Sequence, residues 1–359
     1  MKPIHMAVFA ALTAFLVGLA ALKWQFAGPA APGAVTNITA AASSSRLQIA
    51  RFGHTSVVIG PFVYVMGGVD GEQPTDEVER APILPDGRLG DFSSVAGLRL
   101  AQARSGHASV KIGDRLYVLG GFDGGGFLGT VEQAPIRSDG SLGAFAPVTG
   151  TGLVTPRAMP ATAVLGHYLY VIGGHGRAGI LGNAERAAIG PDGGLGTFAP
   201  VPGLALRTPR TCDTSVAIGK SLLVMGGVDR QGRLLTSVER ATLEPHGGLG
   251  PFHTLKGVAL RMGRSTPSSL VVGSFLYVLG GSDTTGKMFA SIERARVRPD
   301  GTVGPFLPLA KQKLAIARSD QTNVLVDGAI YVLGGQDGAF RPLTSVEHLR
   351  MRARVLPRL

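Results

Sequence analysis

Leu116-Tyr117-Val118-Leu119-Gly120-Gly121-Phe122-Asp123 is the stretch that decides the fold, because it recurs. It returns as Val63–Asp70, Leu169–Gly176, Leu222–Asp229, Leu276–Asp283 and Ile330–Asp337. The paired glycines begin at Gly67, Gly120, Gly173, Gly226, Gly280 and Gly334, at intervals of 53, 53, 53, 54 and 54 residues. A fixed period of this size marks a propeller or a solenoid. The apolar, Tyr-containing run has strand character, and two glycines end it by supplying backbone freedom that no other residue has.

Working outward from Gly120, the same unit reads as four antiparallel strands. Arg104–Ile112 is a first strand, Gly113-Asp114 a turn, and Arg115–Gly121 a second strand. After the loop Phe122–Gly129 come a third strand, Thr130–Ile136, and a fourth, Ser141–Val148, joined by Ser138-Asp139-Gly140. Asp-Gly between apolar runs is a strong hairpin signal, since Gly accepts the positive φ of the turn. It stands at Asp86-Gly87, Asp139-Gly140, Asp192-Gly193 and Asp300-Gly301, with His246-Gly247 in the remaining place. Phe92, Phe145, Phe198, Phe252 and Phe306 each lie 12 residues before the next repeat's Arg. Four strands repeated six times describe the blades of a propeller.

The succession Arg-x-Gly-His, Tyr-Val-x-Gly-Gly-x-Asp, Val-Glu and an outer-strand aromatic resembles the kelch repeat, over about Val35 to Leu349. The Pro-Asp-Gly-x-Leu-Gly-x-Phe wording is similar to that of exported bacterial kelch proteins. The departures are Phe in place of the family's outer-strand Trp, and Leu223 in place of the Tyr before the glycines. The resemblance implies an all-β chain: a six-bladed β-propeller of four-stranded kelch-type blades over residues 34–351, with no reaction implied.

Composition agrees with many tight turns: Gly 53, Pro 23 and an apolar fraction of 45%. Cys212 is the one cysteine, so no intramolecular disulfide and no Cys-based zinc site forms, and the thiol reads as a small core or channel residue. The net charge of +11 favours anionic partners such as acidic glycans or lipid head groups; nucleic acid is the weakest candidate, lacking aromatic interleaving.

Residues 1–27 read as a signal peptide or membrane-anchor helix. Met6–Leu22 is an unbroken run of apolar, small or Thr residues, closed by Lys23-Trp24. Gly28-Pro29-Ala30 offers a small-x-small cleavage site, so cleaved signal and retained anchor both stand; no Cys follows, which excludes a lipid-anchored thiol. Either form delivers the repeats outside the cytoplasm, periplasmic or secreted. Residues 28–33 are a flexible tether and residues 352–359 a basic tail. The sixth unit has no Asp-Gly-x-Leu-Gly-x-Phe after Val346-Glu347-His348, so Ala34–Ala41 is expected to supply its outer strand.

Four columns carry candidate chemistry. Arg51, Arg104, Arg157, Arg210, Arg264 and Arg318 each open a first strand, which the resemblance makes the innermost. Six guanidinium groups are then expected at one channel mouth, near the loops bearing Asp70, Asp123, Asp229, Asp283 and Asp337. Two readings follow: Arg–Asp pairs of the scaffold, or a ring that grips a carboxylate or phosphate bidentately. Gly176 breaks the Asp series, which singles out Arg157 as the guanidinium left for a ligand. Three positions on, the column diverges as His54, His107, Pro160, Asp213, Pro267 and Gln321, where a specific ligand would be read or neutral drift would show. Glu79, Glu132, Glu185, Glu239, Glu293 and Glu347 recur in every unit, as a repeated hydrogen bond or ion pair would.

No metal site is expected, since no acidic or Cys partner recurs beside the eight histidines at ligand spacing, and no cofactor motif is present. Copper oxidases on kelch propellers need a Cys–Tyr pair and extra domains; Cys212 falls in the inner-strand region of the fourth unit and no additional domain is expected, so that reading is set aside. Two functions remain. One is a binding module for a protein or an anionic ligand, held at the channel mouth by the six arginines with His54, His107, Asp213 and Gln321. The other is a mutarotase or epimerase for an acidic sugar such as sialic acid, which exported kelch propellers include. That chemistry needs a general acid and base, for which His54, His107, Asp213 and Gln321 are the candidates. A channel plugged by side chains favours the first reading, and an open polar pocket the second.

Overall fold

The structure is a computed structural model that describes residues 37–352, all of whose regular elements are strands. The signal or anchor segment, the tether and the tail beyond Arg352 lie outside the described residues. Among the described residues no helix is long and apolar enough to cross a membrane.

Six four-stranded antiparallel sheets account for the six repeats. Blade 1 is Thr55–Ile59, Phe62–Met66, Glu77–Pro82 and Ser93–Arg99. Blades 2 to 5 start at Ala108, Ala161, Thr214 and Ser268 and end at Gly152, Ala205, Ala259 and Lys313. Blade 6 is Thr322–Val326, Ala329–Leu333 and Ser345–Arg352, with Asn37–Arg46 as its fourth strand. The first strands of successive blades touch, 1 to 2 through 5 to 6, and the sixth touches the first. That closed cycle makes the molecule a propeller, with the free edge of each first strand toward the axis.

The fourth strands differ from the sequence reading. In blade 2 the strand runs Ala146–Gly152 instead of starting at Ser141. Leu142 makes a single bridge to Ile136, and Phe145 is buried in the seam between blades 1 and 2, so residues 137–145 form a wide connection. Among the described residues the closing strand is Asn37–Arg46, running further than Ala41 and facing Ser345–Arg352 with Ala40 opposite Leu349.

Burial explains the cycle. Six apolar clusters each join adjacent blades, the third of them joining the sixth blade to the first. The glycine pairs add a backbone strap at every seam. The N–H of Gly68 donates to the Arg104 carbonyl at 2.9 Å, and the same step recurs from Gly121 to Arg157 through to Gly335 and Arg51. A Cβ on Gly67 would meet that carbonyl at 2.7 Å and the His107 ring at 2.5 Å. The pairs are thus required by close approach to the next blade as well as by positive φ. Tyrosine hydroxyls supply a further latch: Tyr64, Tyr117 and Tyr331 donate to the carbonyls of Gly140, Gly193 and Gly87 in the following blade's hairpin.

Candidate functional site

The arginine column does not open to solvent. All six guanidinium groups are at most 1% exposed, and each pairs with the Glu of its own blade at 2.5–2.6 Å. Arg157 shows the arrangement. Its Nη1 donates to the carbonyls of Gly173 and Asn183, its Nη2 to Glu185 Oε1, and its Nε to the Thr155 carbonyl. Glu185 in turn accepts the N–H groups of Val154 and Thr155, on the crossover from the previous blade. Each Arg–Glu pair therefore clamps a crossover to its blade.

This corrects the expected anion ring at Arg51, Arg104, Arg157, Arg210, Arg264 and Arg318. A guanidinium bonded to carbonyls and a carboxylate and out of contact with water has nothing to offer a ligand, and the Arg51 Nε, which has no partner among the described residues, is buried as well. The Asp series does not offset the arginines either, because each Asp holds its own loop. Asp123 accepts the N–H groups of Gly125 and Gly126, Asp283 those of Thr285 and Lys287, and Asp229 those of Gln231 and Arg233. Arg157 is accordingly not the free cation that Gly176 suggested.

The column three positions on is also buried, and three of its members hold neighbouring blades together. His54 Nε2 lies 3.0 Å from Thr322 Oγ1 and His107 Nε2 3.0 Å from Thr55 Oγ1, each reaching the preceding blade. Gln321 Nε2 donates to Ser268 Oγ and the Leu279 carbonyl. Burial, with Arg51 adding to it, pulls the His54 imidazole down to about 3, and burial and Arg104 hold His107 well below its usual value. Both rings stay neutral near pH 7, which removes them as acid–base groups. Asp213 is different: burial raises its carboxyl to about 7, against the pull of Arg210, and Oδ1 has no hydrogen-bond partner among the described residues.

Between these two columns lies one that the sequence reading passed over. Two residues after each Arg stand Gly53, Gly106, Met159, Cys212, Thr266 and Asp320, all with φ between 51° and 63°. Glycine fills this left-handed position in blades 1 and 2, and four larger residues hold it in blades 3 to 6, which costs energy for each and most for β-branched Thr266. A chain of main-chain bonds joins them across blades. Met159 N–H donates to Gly106 at 2.7 Å, Gly106 to Gly53 at 2.9 Å, and Gly53 to Asp320 at 3.1 Å. Asp320 donates to Thr266 at 3.2 Å and Thr266 to Cys212 at 2.7 Å. These six residues form a collar around the axis.

A cavity of about 440 Å³ opens above the part of the collar contributed by blades 4 to 6. Cys212, Thr266 and Asp320 lie at its base, and His175, Asp229, Asp283 and Phe340 come from the loops that follow the glycine pairs. Phe340 is 49% exposed, with its ring against Gly286 of the preceding blade. Cys212 Sγ lies 3.4 Å from Met159 Sδ, and burial, with Asp320 adding to it, pushes the thiol up to about 12. It is inert as a nucleophile. Asp320 is 2% exposed; Oδ2 accepts from Ser319 Oγ and, at 2.7 Å, from Gln336 Nε2, while Oδ1 has no partner among the described residues. Burial raises this carboxyl to about 7 even though Ser319, Gln336 and the nearby Thr266 favour its ionised form.

A pH-dependent cost follows. An acid whose folded pKa exceeds its unfolded value is harmless below about pH 4 and destabilises progressively as pH climbs toward 7. Asp320→Asn keeps a neutral side chain that tolerates the left-handed backbone. It is expected to match the wild type near pH 4 and exceed it by about 2–4 kcal/mol at pH 9, since each pKa unit corresponds to about 1.4 kcal/mol. Urea denaturation at the two pH values checks this; equal stability at pH 9 refutes an ionised, buried Asp320.

Residues 50–80 and 103–133 match the Kelch motif model, so the first two blades carry kelch motifs in a propeller fold. Among solved structures, one titled "Structure of YjhT" is 12% identical, covering 84% of this chain and 95% of that chain with a TM-score of 0.66. It shares the fold. No curated protein matches the chain.

Proposed function

We propose that this chain is an exported or membrane-anchored six-bladed kelch propeller that acts as a binding module. Its ligand, or a segment of a partner protein, enters the cavity above Cys212, Thr266 and Asp320. The observation that carries this reading is the cavity itself: about 440 Å³ of space at the loop-bearing face, over buried polar atoms that lack partners among the described residues. The Arg–Glu clamps repeat in all six blades, whereas here four blades depart from the glycine of the first two. The Arg–Glu clamps withdraw equal numbers of both charges, so the excess of +11 remains on the rest of the molecule and favours an anionic partner or surface there.

An enzymatic reading keeps one specific support, the buried carboxyl of Asp320 at the cavity base, raised by burial to about 7, which suits proton transfer to and from a sugar. The acidic-sugar version of it has lost its arginine grip. The test fills the cavity. Thr284 is exposed on the blade 5 loop and lines the space, so Thr284→Trp is expected to fold normally and weaken cavity ligands by about tenfold or more, a loss of about 1.4 kcal/mol. Saturation-transfer NMR with a mixture of neutral, cationic and acidic sugars reads the difference. Ligands that bind the wild type and the Thr284→Trp variant alike would place the binding surface elsewhere.

A further inference from the structure

The charges around the cavity run opposite to those of the whole molecule. Its lining carries three carboxyl groups, Asp229, Asp283 and Asp320, and one guanidinium, Arg230, whose Nε is engaged by the Ile180 carbonyl at 2.9 Å. Asp229 also pairs with Arg233 at 2.8 Å and Asp283 has Lys287 beside it, both cations outside the lining, so Asp320 is the carboxyl without a cation of its own. His175 is neutral near pH 7, since burial lowers its pKa. At the base, Thr266 lies close enough to Asp320 to favour its ionised form, but neither Asp320 Oδ1 nor Thr266 Oγ1 makes a full hydrogen bond among the described residues, and both residues are more than nine-tenths buried. A carboxylate buried without a cation is costly, and an N–H-bearing cation next to it relieves that cost. At the rim, the half-exposed Phe340 ring offers a π face, which attracts cations and repels anions.

We infer that the cavity selects a small ligand carrying a protonated amine, whose N–H groups are directed to the Asp320 carboxylate and the Thr266 hydroxyl. The inference rests on the cavity being the ligand site. An anionic ligand would face three carboxylates with no guanidinium lining the base. A neutral polyol would leave Asp320 buried without a counter-charge. The amine comes from one of two sources, a free aminated small molecule or the side chain of a Lys on a polypeptide, and the chemistry at Asp320 is the same for both.

Binding is then linked to deprotonation of Asp320. Affinity for an amine rises by up to about tenfold per pH unit between about pH 5.5 and 7 and levels off above, until the amine itself loses its proton. The neighbouring groups do not imitate this. Cys212 titrates far higher. Asp229, despite the opposing effect of burial, is held below the usual carboxylate range by its bonds from Arg233 and Gln231, and Asp283 by its bond from Thr285. Asp213 titrates in the same window from outside the lining, so Asp213→Asn is the control.

Calorimetry uses glucosamine, glucose and gluconate as size-matched probes, and Nα-acetyl-lysine methylamide for the peptide source. Glucosamine or the lysine derivative is expected to bind with the stated pH dependence and to bind about 10- to 100-fold more weakly to Asp320→Asn, the range for a hydrogen bond to a charged group. Glucose is expected to change little in that variant, and Asp213→Asn to keep the amine affinity. Glucose or gluconate binding better than either amine, with sensitivity to Thr284→Trp, overturns the amine inference and leaves the cavity as the site. Amine binding unaffected by Asp320→Asn overturns it as well. Binding of no probe overturns it, and binding of any probe unaffected by Thr284→Trp overturns the cavity reading too.

Discussion

Truncating Arg157 to Ala is expected to destabilise the propeller by about 3–5 kcal/mol, the cost of removing one member of a buried ion pair. Arg157 and Glu185 are both inaccessible to water and 2.6 Å apart. Without the guanidinium, Glu185 is left as a buried carboxylate supported by two backbone N–H groups, the carbonyls of Gly173 and Thr155 lose its donors, and the Asn183 carbonyl keeps only the Gly173 N–H. Each orphaned acceptor adds its own desolvation penalty. Equilibrium denaturation reads the loss as a fall in midpoint at constant slope. Arg157→Met combined with Glu185→Gln is expected to recover part of it, because the lone charge is gone while an acceptor for Val154 and Thr155 remains. A loss below about 1 kcal/mol for Arg157→Ala, the level of an exposed ion pair, would show that the clamp is not structural.

The second large effect lies at the join of the chain's ends. Removing residues 1–46 takes away the fourth strand of blade 6, whose seven paired positions run from Asn37 opposite Arg352 to Arg46 opposite Ser345. At about 0.5–1 kcal/mol per backbone hydrogen bond, the loss is roughly 3–7 kcal/mol. Ser45 also gives up its bond to the Gly90 carbonyl in blade 1 at 2.6 Å. The strand Ser345–Arg352 is left as an open edge, which templates pairing with a second molecule. The shortened chain is therefore expected to unfold at lower urea and to sediment partly as dimers or larger species. A monomer as stable as the full chain would rule out this strand as the closure.

The period, the hairpins and the columns are legible in the sequence because repetition multiplies a weak local signal six times. The partners within a column are not. Arg157 and Glu185 are 28 residues apart and meet only through the register of the blade, whereas strand parity alone sets Arg157 beside the glycine-pair loops. Burial is hidden for the same reason: six arginines on one rim read as exposed charge, and only the fold shows the crossovers that cover them. Met159, Cys212, Thr266 and Asp320 do leave a readable trace, since aligning the six copies places them under Gly53 and Gly106. A position that takes glycine in two copies and four unlike residues in the others is where the scaffold accepts strain for another purpose. The cavity above them leaves no trace, because its walls come from loops of four blades that share no common wording.

The members of the collar are tied by main-chain bonds, so the width of the opening does not depend on which side chains stand there. Aperture and chemistry are thereby uncoupled. On the binding reading proposed above, exchanging Thr266 or Asp320 alters what a ligand meets at the cavity base while the main-chain bonds of the collar stay in place, as a lens mount accepts different glass. On that reading, single substitutions retune the ligand while the wheel around it keeps its shape.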